Sequence, residues 1–508
     1  MAVQSSNKRL FKNTILLYVR MIVLLVISLY TSRIVLASLG VDDFGIYNVV
    51  GGIVVIMSFL NNSMASSTQR FLNVELGRND FAQLKAVFNT SRVIHFIIAG
   101  IVWILAETLG VWFLNTFMNI ASDRIVAANW VFQFSILTFM TNIVSVPYNA
   151  VIIAHEKMSV FAYITIIEAI MKLAIVYLLW LTTFDKLIVY AALMLLVAIT
   201  VRMFYIIYCC KHFDECKYKN LRTDKMVMRK MLGFSGWTIF GALGSISHTQ
   251  GISIVMNMFF GVGVNAAQGI ANQVTNVVNQ FVANFMTAIN PQIVKTYAAG
   301  QLDEMHILIR RGSRMGICLV AFFAIPLILE TPAILNLWLT VVPDYTVTFI
   351  RIILLTTMCN AYAQPLATAK SATGIIKNYQ IILTTLGWLH VPLAWLCFKI
   401  GKEPYYAMYV YFILINIMQV IRIYMVCKSI KMSIQKYVKD VNCRCAIMVF
   451  VASIIPFVSH TYLPHSIICS LITIIIGFAS VTVSIYLIGI TKHERCMINL
   501  FIKNKIKH

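Results

Sequence analysis

Leu187-Ile-Val-Tyr-Ala-Ala-Leu-Met-Leu-Leu-Val-Ala-Ile-Thr-Val-Arg-Met-Phe-Tyr-Ile-Ile-Tyr-Cys-Cys210 runs straight into Lys211-His-Phe-Asp-Glu-Cys-Lys-Tyr-Lys-Asn-Leu-Arg-Thr-Asp-Lys-Met-Val-Met-Arg-Lys230. The first 24 residues carry one charge, Arg202; the next 20 carry seven Lys or Arg. About 20 mostly apolar residues cross a bilayer as a helix, and short basic loops stay on the cytosolic side. The junction reads as the cytosolic end of a transmembrane helix.

The same signal recurs in both directions. Candidate spans fall near 14–38, 44–68, 91–114, 125–153, 160–182, 187–210, 232–260, 264–290, 313–339, 346–370, 376–400, 405–428, 445–462 and 466–490. That makes an all-α integral membrane protein with about fourteen transmembrane helices. The thirteenth candidate is short and carries Pro456. Composition agrees: of 508 residues, 60% are hydrophobic and 12% charged, with a mean hydropathy of +0.81. A soluble domain carries about 25% charged residues, so lipid must solvate most of this chain.

The charges test the map. With the N-terminus in the cytosol, 31 of the 41 Lys and Arg fall in cytosolic segments. Four (Arg124, Lys186, Lys399, Lys402) fall outside, and six lie within spans. Both termini are therefore expected in the cytosol. Trp112, Trp180, Trp338 and Trp395 fall near the outward ends of odd-numbered spans, as interfacial rings prefer. A net charge of +22 then faces the anionic inner leaflet, with no nucleic-acid partner implied. Lys8, Arg9 and Lys12 precede an apolar run from Ile15 to about Ala37, too long for a signal core, which reads as a retained first span. The eleven cysteines lack zinc-ligand spacing and read as reduced thiols. No phosphate-binding glycine loop, metal cluster or nucleophile arrangement is present in the sequence, so no cofactor, metal or catalytic residue is expected.

The chain also repeats itself. Ser32 to Phe81 aligns with Ser253 to Leu302 at an offset near 221. Gly77-Arg-Asn-Asp80 meets Gly300-Gln-Leu-Asp303 if two residues are inserted, and Pro147-Tyr-Asn-Ala150 meets Pro365-Leu-Ala-Thr368 at an offset of 218. An offset of six spans repeats them in the same orientation. This gives an N-terminal lobe at 1–211, a basic linker at 212–230, a C-terminal lobe at 231–430, and two extra spans with a basic tail at 431–508. Such lobes rock about a midplane site.

Thr31-Ser-Arg-Ile-Val-Leu-Ala-Ser-Leu-Gly40 followed by Phe44-Gly-Ile-Tyr47 resembles the first-span signature of polysaccharide-biosynthesis flippases, of the multidrug/oligosaccharidyl-lipid/polysaccharide exporter superfamily. The six-plus-six-plus-two plan is similar too. The resemblance implies a protein of the bacterial inner membrane. It implies a flippase that carries an undecaprenyl-pyrophosphate-linked oligosaccharide, such as an O-antigen or capsular unit, to the periplasmic leaflet by alternating access. It implies membrane lipids and a polysaccharide polymerase or assembly complex as partners. Cavity cations hold the pyrophosphate in such proteins, and Arg33 is the matching position; the second repeat has Ile254 there.

Ionisable residues inside a bilayer are costly and need a reason. Arg33 reads either as a phosphate ligand or as a snorkelling residue paired with Asp42 or Asp43. Arg20 lies about 9 Å inside the cytosolic end of its span and reads either way. Arg351 leads the stripe Thr357, Asn360, Gln364 and Thr368, with an interfacial pairing near Asp344 as the other reading. Glu168 and Lys172 form an i, i+4 pair that is structural or, through Glu168, proton-coupling. Arg202 and Arg422 are expected to snorkel. Asn272, Asn276, Asn279 and Gln280 share a face of the eighth span, where amides suit sugar hydroxyls or bonds between helices. Gly241, Gly244, Ser245 and His248 form a small-residue face; His248 is a satisfied buried histidine or a coupling residue. The competing reading is an ion-coupled exporter of organic cations, which would call for cavity carboxylates.

Overall fold

The computed structural model describes residues 58–117, 123–217, 223–260, 262–339, 342–464, 466–491 and 494–496, with residues 16–28 and isolated positions up to 50. These are almost entirely helical, with no strand among them. The helices are α1 Ser58–Arg78, α2 Phe81–Thr116, α3 Ile125–Ala154, α4 Met158–Leu178, α5 Lys186–His212, α6 Lys225–Phe260 and α7 Val262–Ala298. There follow α8 Leu302–Leu329, α9 Thr331–Trp338, α10 Thr346–Asn360, α11 Ala363–Thr373, α12 Lys377–Lys399, α13 Tyr406–Ser429, α14 Ile434–Tyr462 and α15 Ile467–Gly489. Among the described residues, nine helices are long and apolar enough to cross a membrane, or ten when α10 and α11, bent by 40°, count as one span. The expected third to sixth, ninth and eleventh to fourteenth spans fall on these nine helices and the tenth on the bent α10–α11 pair, while the seventh and eighth fall on α6 and α7, which are helical but not among them. The thirteenth is no fragment: α14 runs 29 residues, straight through Pro456.

Two compact units divide at Ile239 and Phe240. In unit 1, α3 is the central helix, packed by α1, α2 and α5. Phe132 and Tyr148 of α3 and Phe88 of α2 are fully enclosed. In unit 2, α7 packs on α8, α10 and α11, while α13 packs on α10, α11 and α12.

The turns prove the repeat and correct its register. Asn79 and Gly300 both adopt left-handed backbone, at φ 57° and 74°. In the first, the N–H of Asp80 donates to Glu75 and that of Asn79 to Leu76; in the second, Gln301 donates to Thr296 and Gly300 to Tyr297. This is one helix-ending motif at a constant offset of 221, so the two-residue insertion is not needed. Asp80 then caps α2 by accepting from the Gln83 N–H at 3.0 Å. Glu156 and Gly374, at φ 58° and 77°, end α3 and α11 at an offset of 218. Asp185 and Tyr405, the residues before α5 and α13, set an offset of 220.

The last two spans, outside the repeat, are fastened to α8. At one end Arg310 pairs with Asp440 at 3.5 Å, and Arg311 and Arg314 pair with Glu494 at 3.1 and 2.8 Å. Tyr437 donates to the buried Ser313 hydroxyl at 3.0 Å. At the other end His460 Nδ1 meets the Glu330 carboxylate at 2.8 Å. Between them Gly477 and Gly489 let α15 come against Pro326 and Cys318; a Cβ there would stand 2.9 and 3.1 Å from those side chains. Burial opposes charge on Glu494, but Arg314, the Thr491 N–H and Arg311 outweigh it and hold the carboxyl below the usual range. A depressed folded value means the pairing contributes fully above pH 4.5, its ordinary value, and is lost as pH falls through the lower one. Glu494→Gln leaves Arg314 buried without its counter-charge and is expected to cost about 3–5 kcal/mol. Thermal unfolding in detergent at pH 7 and pH 4 checks this, the loss being smaller at pH 4.

Candidate functional site

Unit 1 draws polar side chains from four helices into one cluster. On α4, Phe161, Thr165, Glu168 and Lys172 follow at steps of four, three and four, so they line one face. Lys172 donates to Glu168 at 2.8 Å, and the second carboxylate oxygen lies 3.9 Å from Arg202 of α5. Arg202 also forks onto Asn142 of α3, with Nε at 3.1 Å and Nη2 at 2.5 Å. From the helical residues 16–28 that precede α1, Arg20 donates to the Thr165 hydroxyl at 2.6 Å and lies over the Phe161 ring, 4.5 Å from its centroid. Glu168 and Tyr205 fall within its electrostatic reach. Two cations thus contact the Glu168 carboxylate and a third lies within its field. Their side chains remain partly accessible, 16% for Arg202 and 39% for Lys172. Partly satisfied guanidinium forks beside an ammonium suit a di-anionic group.

This corrects the expectation that Arg202 snorkels: it turns inward to Asn142 and Glu168. Arg422 does the same in unit 2, donating to Gln419 at 3.2 Å and bonding Tyr379. Gln419 in turn donates to Asn360. The repeat relates the two networks, because the offset of 218 carries Asn142 onto Asn360 and that of 220 carries Arg202 onto Arg422. That signal was in the sequence, and position along a span alone concealed it.

Arg33, Asp42 and Ser245 lie outside the described residues. Asp43 is committed to Arg124, at 2.9 and 2.5 Å, and Arg124 also holds Asp185 at 2.6 Å. Arg351 donates to the carbonyls of Ile328 and Leu329 at 2.9 and 3.5 Å. A cation is favourable on these last carbonyls of a helix.

The amides of α7 separate cleanly from its packed side. Ala267, Ala271, Val278, Val282 and Met286 are buried. Asn272, Asn276, Asn279 and Gln280 are exposed, and their side-chain amides make no hydrogen bond to another described residue; only the Gln280 main-chain carbonyl accepts one, from Asn284 at 3.0 Å. Exposed amides on a helix of a membrane protein call for water, a polar ligand or a polar neighbour. Close by, α10 breaks into α11 with Asn360 and Gln364, both exposed, on either side. Gly316 of α8 makes the break possible: a Cβ there would stand 2.9 Å from the Ala361 carbonyl oxygen and 3.8 Å from Val282 of α7. Thr357 bonds its own helix at Ile353, and Thr368 donates to Asn290 of α7 at 2.9 Å. The Gly241 and Gly244 face of α6 packs tightly on Gln380 and Thr384 of α12. His248 continues that face and meets His390 and Tyr411, with ring centroids 4.5 and 4.6 Å away.

No protein-family model matches this chain, and no curated protein sequence does. Solved structures do. The chain is similar to a MATE transporter in the bent conformation, with a TM-score of 0.72 and 12% identity over 85% of this chain and 96% of that one. It is similar to an outward-facing multidrug-resistance transporter of the MATE family and MOP superfamily, at 0.70 and 12% over 85% and 96%. It is also similar to a MOP superfamily transporter from Pyrococcus furiosus described as having a binding pocket of reversed polarity, at 0.65 and 11% over 84% and 96%. The fold is that of the MATE transporters, an all-helical membrane architecture of two lobes.

Proposed function

We propose that this protein is a flippase that moves a lipid-linked oligosaccharide across the bacterial inner membrane by alternating access, holding the lipid diphosphate with cations of unit 1. The observation that carries the reading is the imbalance of the first cluster: among the described residues, Lys172 and Arg202 contact Glu168 and Arg20 lies within its field, three cations to one carboxylate. A cationic drug would need the reverse. The exposed amides Asn272, Asn276, Asn279 and Gln280, with Asn360 and Gln364, suit the hydroxyls of the attached sugar, since each amide donates and accepts at once. A polysaccharide polymerase or assembly complex is the partner the reading implies. One structural neighbour, the Pyrococcus furiosus transporter, is described as having a binding pocket of reversed polarity that suggests a different function.

Ion-coupled export of organic cations is the second reading, favoured by the multidrug-resistance neighbour. Cells lacking the gene distinguish the two. The first predicts lipid-linked oligosaccharide accumulating on the cytosolic leaflet, restored by the wild-type gene. The second predicts normal glycan export and heightened sensitivity to organic cations. Asn276→Leu with Asn279→Leu is expected to lower export about tenfold while leaving the unfolding midpoint unchanged, because neither side chain is hydrogen-bonded to another described residue. Glycan export and thermal unfolding check it together.

A further inference from the structure

We propose that Tyr345, Tyr405 and Tyr409 of unit 2 form a saccharide-binding platform at the end of the unit expected to face outward, with Glu403 as the acceptor for sugar hydroxyls. The inference rests on the transport reading above for its meaning, and adds a place where the carried glycan is received.

Two turns build the platform. Tyr345 precedes α10 and Tyr405 precedes α13. Tyr405 is the middle ring: its centroid lies 6.4 Å from that of Tyr345 and 5.8 Å from that of Tyr409. Each step is close to the width of one pyranose ring. Tyr406 stacks on Tyr405 at 5.2 Å, and the Lys402 ammonium covers Tyr406, 5.4 Å from its centroid. The two outer rings, Tyr345 and Tyr409, are 36% and 45% exposed. The Tyr345 hydroxyl donates to Glu403 Oε2 at 2.8 Å, and among the described residues no other side chain bonds that exposed carboxylate.

The face of an aromatic ring is negative. One face of a pyranose carries mainly C–H groups, whose hydrogens are the positive end. Stacking the two buries apolar area and leaves the hydroxyls at the sugar's edge free to bond. Glu403 can accept from those hydroxyls and Lys402 can donate to them. With Asp344 also exposed beside Tyr345, two carboxylates stand against one ammonium, which favours a neutral sugar over an acidic one.

Interfacial tyrosines also anchor helices in the headgroup layer, but two observations go beyond anchoring. Tyr345 holds left-handed backbone at φ 67°, which is rare and costly for a bulky side chain. Strain of this kind collects at functional sites. The repeat, moreover, shows what the joint alone requires. In unit 1, Arg124 precedes α3 at an ordinary φ of −103°, Asp185 precedes α5, and Arg124 donates to Asp185 at 2.6 Å. An ion pair suffices to tie those helix ends. Unit 2 ties them through Tyr345 and Glu403 instead, and places Tyr405, Tyr406 and Tyr409 where unit 1 has Asp185, Lys186 and Val189.

The test uses the full chain in nanodiscs of deuterated phosphatidylethanolamine and phosphatidylglycerol, with free maltose, cellobiose and diacetylchitobiose as probes. Saturation-transfer NMR follows magnetisation from the tyrosine rings to the sugars. The expected result is transfer to the ring C–H protons of at least one disaccharide, reduced about two- to tenfold in Tyr409→Leu, the value of one aromatic contact. Tyr345→Gly should lose a similar share while its unfolding midpoint holds or rises, since glycine takes left-handed backbone freely. No transfer to any of the three sugars, or wild-type transfer in both variants, would overturn the platform. So would a lowered midpoint in Tyr345→Gly with transfer intact, which would make these rings anchors only. Movement of a polyprenyl-diphosphate-linked disaccharide, measured on the same protein in sealed vesicles, separates the two readings. Movement without sugar binding removes the platform alone; sugar binding without movement keeps the platform and removes the transport reading.

Discussion

Arg202→Gln and Arg20→Gln are each expected to lower the movement of a polyprenyl-diphosphate-linked saccharide about 10–100-fold. A charge-assisted hydrogen bond is worth about 1.5–3 kcal/mol, and that range is this fold-change in affinity. Arg202 is the stricter case. Its fork reaches Asn142 and Glu168 together, so Arg202→Lys keeps the charge but not the geometry and should recover only part of the loss. Arg20 has Thr165 as its hydrogen-bond partner and the Phe161 ring beneath it; Arg20→Lys should recover more. Initial rates in proteoliposomes, with unfolding midpoints measured alongside, separate loss of binding from loss of fold. Wild-type rates in both Gln variants would take these arginines out of the mechanism.

Gly316→Ala is expected to destabilise unit 2 by about 1–3 kcal/mol, the usual range for overpacking. The added methyl would sit 2.9 Å from the Ala361 carbonyl oxygen, which is backbone and cannot rotate away. Relief requires α8 to back off from the α10–α11 break, which displaces Asn360 and Gln364 and lowers transport as well. Gly312→Ala is the control, because its nearest neighbour is the Pro365 ring at 3.3 Å and a small shift suffices. Thermal unfolding that places both variants level with wild type would contradict this packing.

The helices were legible because lipid imposes one rule, length and apolarity, on each span independently of its neighbours. The repeat was legible from a near-constant offset, and its small error lay at Asn79, whose left-handed backbone stands in for the glycine at 300. Side-chain direction was harder. Arg202 and Arg422 sit near helix ends, where snorkelling is cheap, and only their neighbours Asn142 and Gln419 turn them inward. Arg351 joined a polar stripe in sequence, yet the end of α8 supplied its partners. His248 gave no hint of His390, because the two lie on helices that meet only in three dimensions. The amides of α7 could be placed on one face, but only packing told which side of the helix that face was.

The most direct measurement is made on the purified protein in sealed vesicles. A fluorescent, saccharide-bearing polyprenyl diphosphate is placed in one leaflet, and its arrival in the other is followed by a membrane-impermeant quencher. The account predicts transfer that depends on the protein, falls steeply when the diphosphate is replaced by a neutral headgroup, and is untouched by excess organic cation. Saturable transport of the organic cation, with the diphosphate lipid staying where it was put, would contradict it.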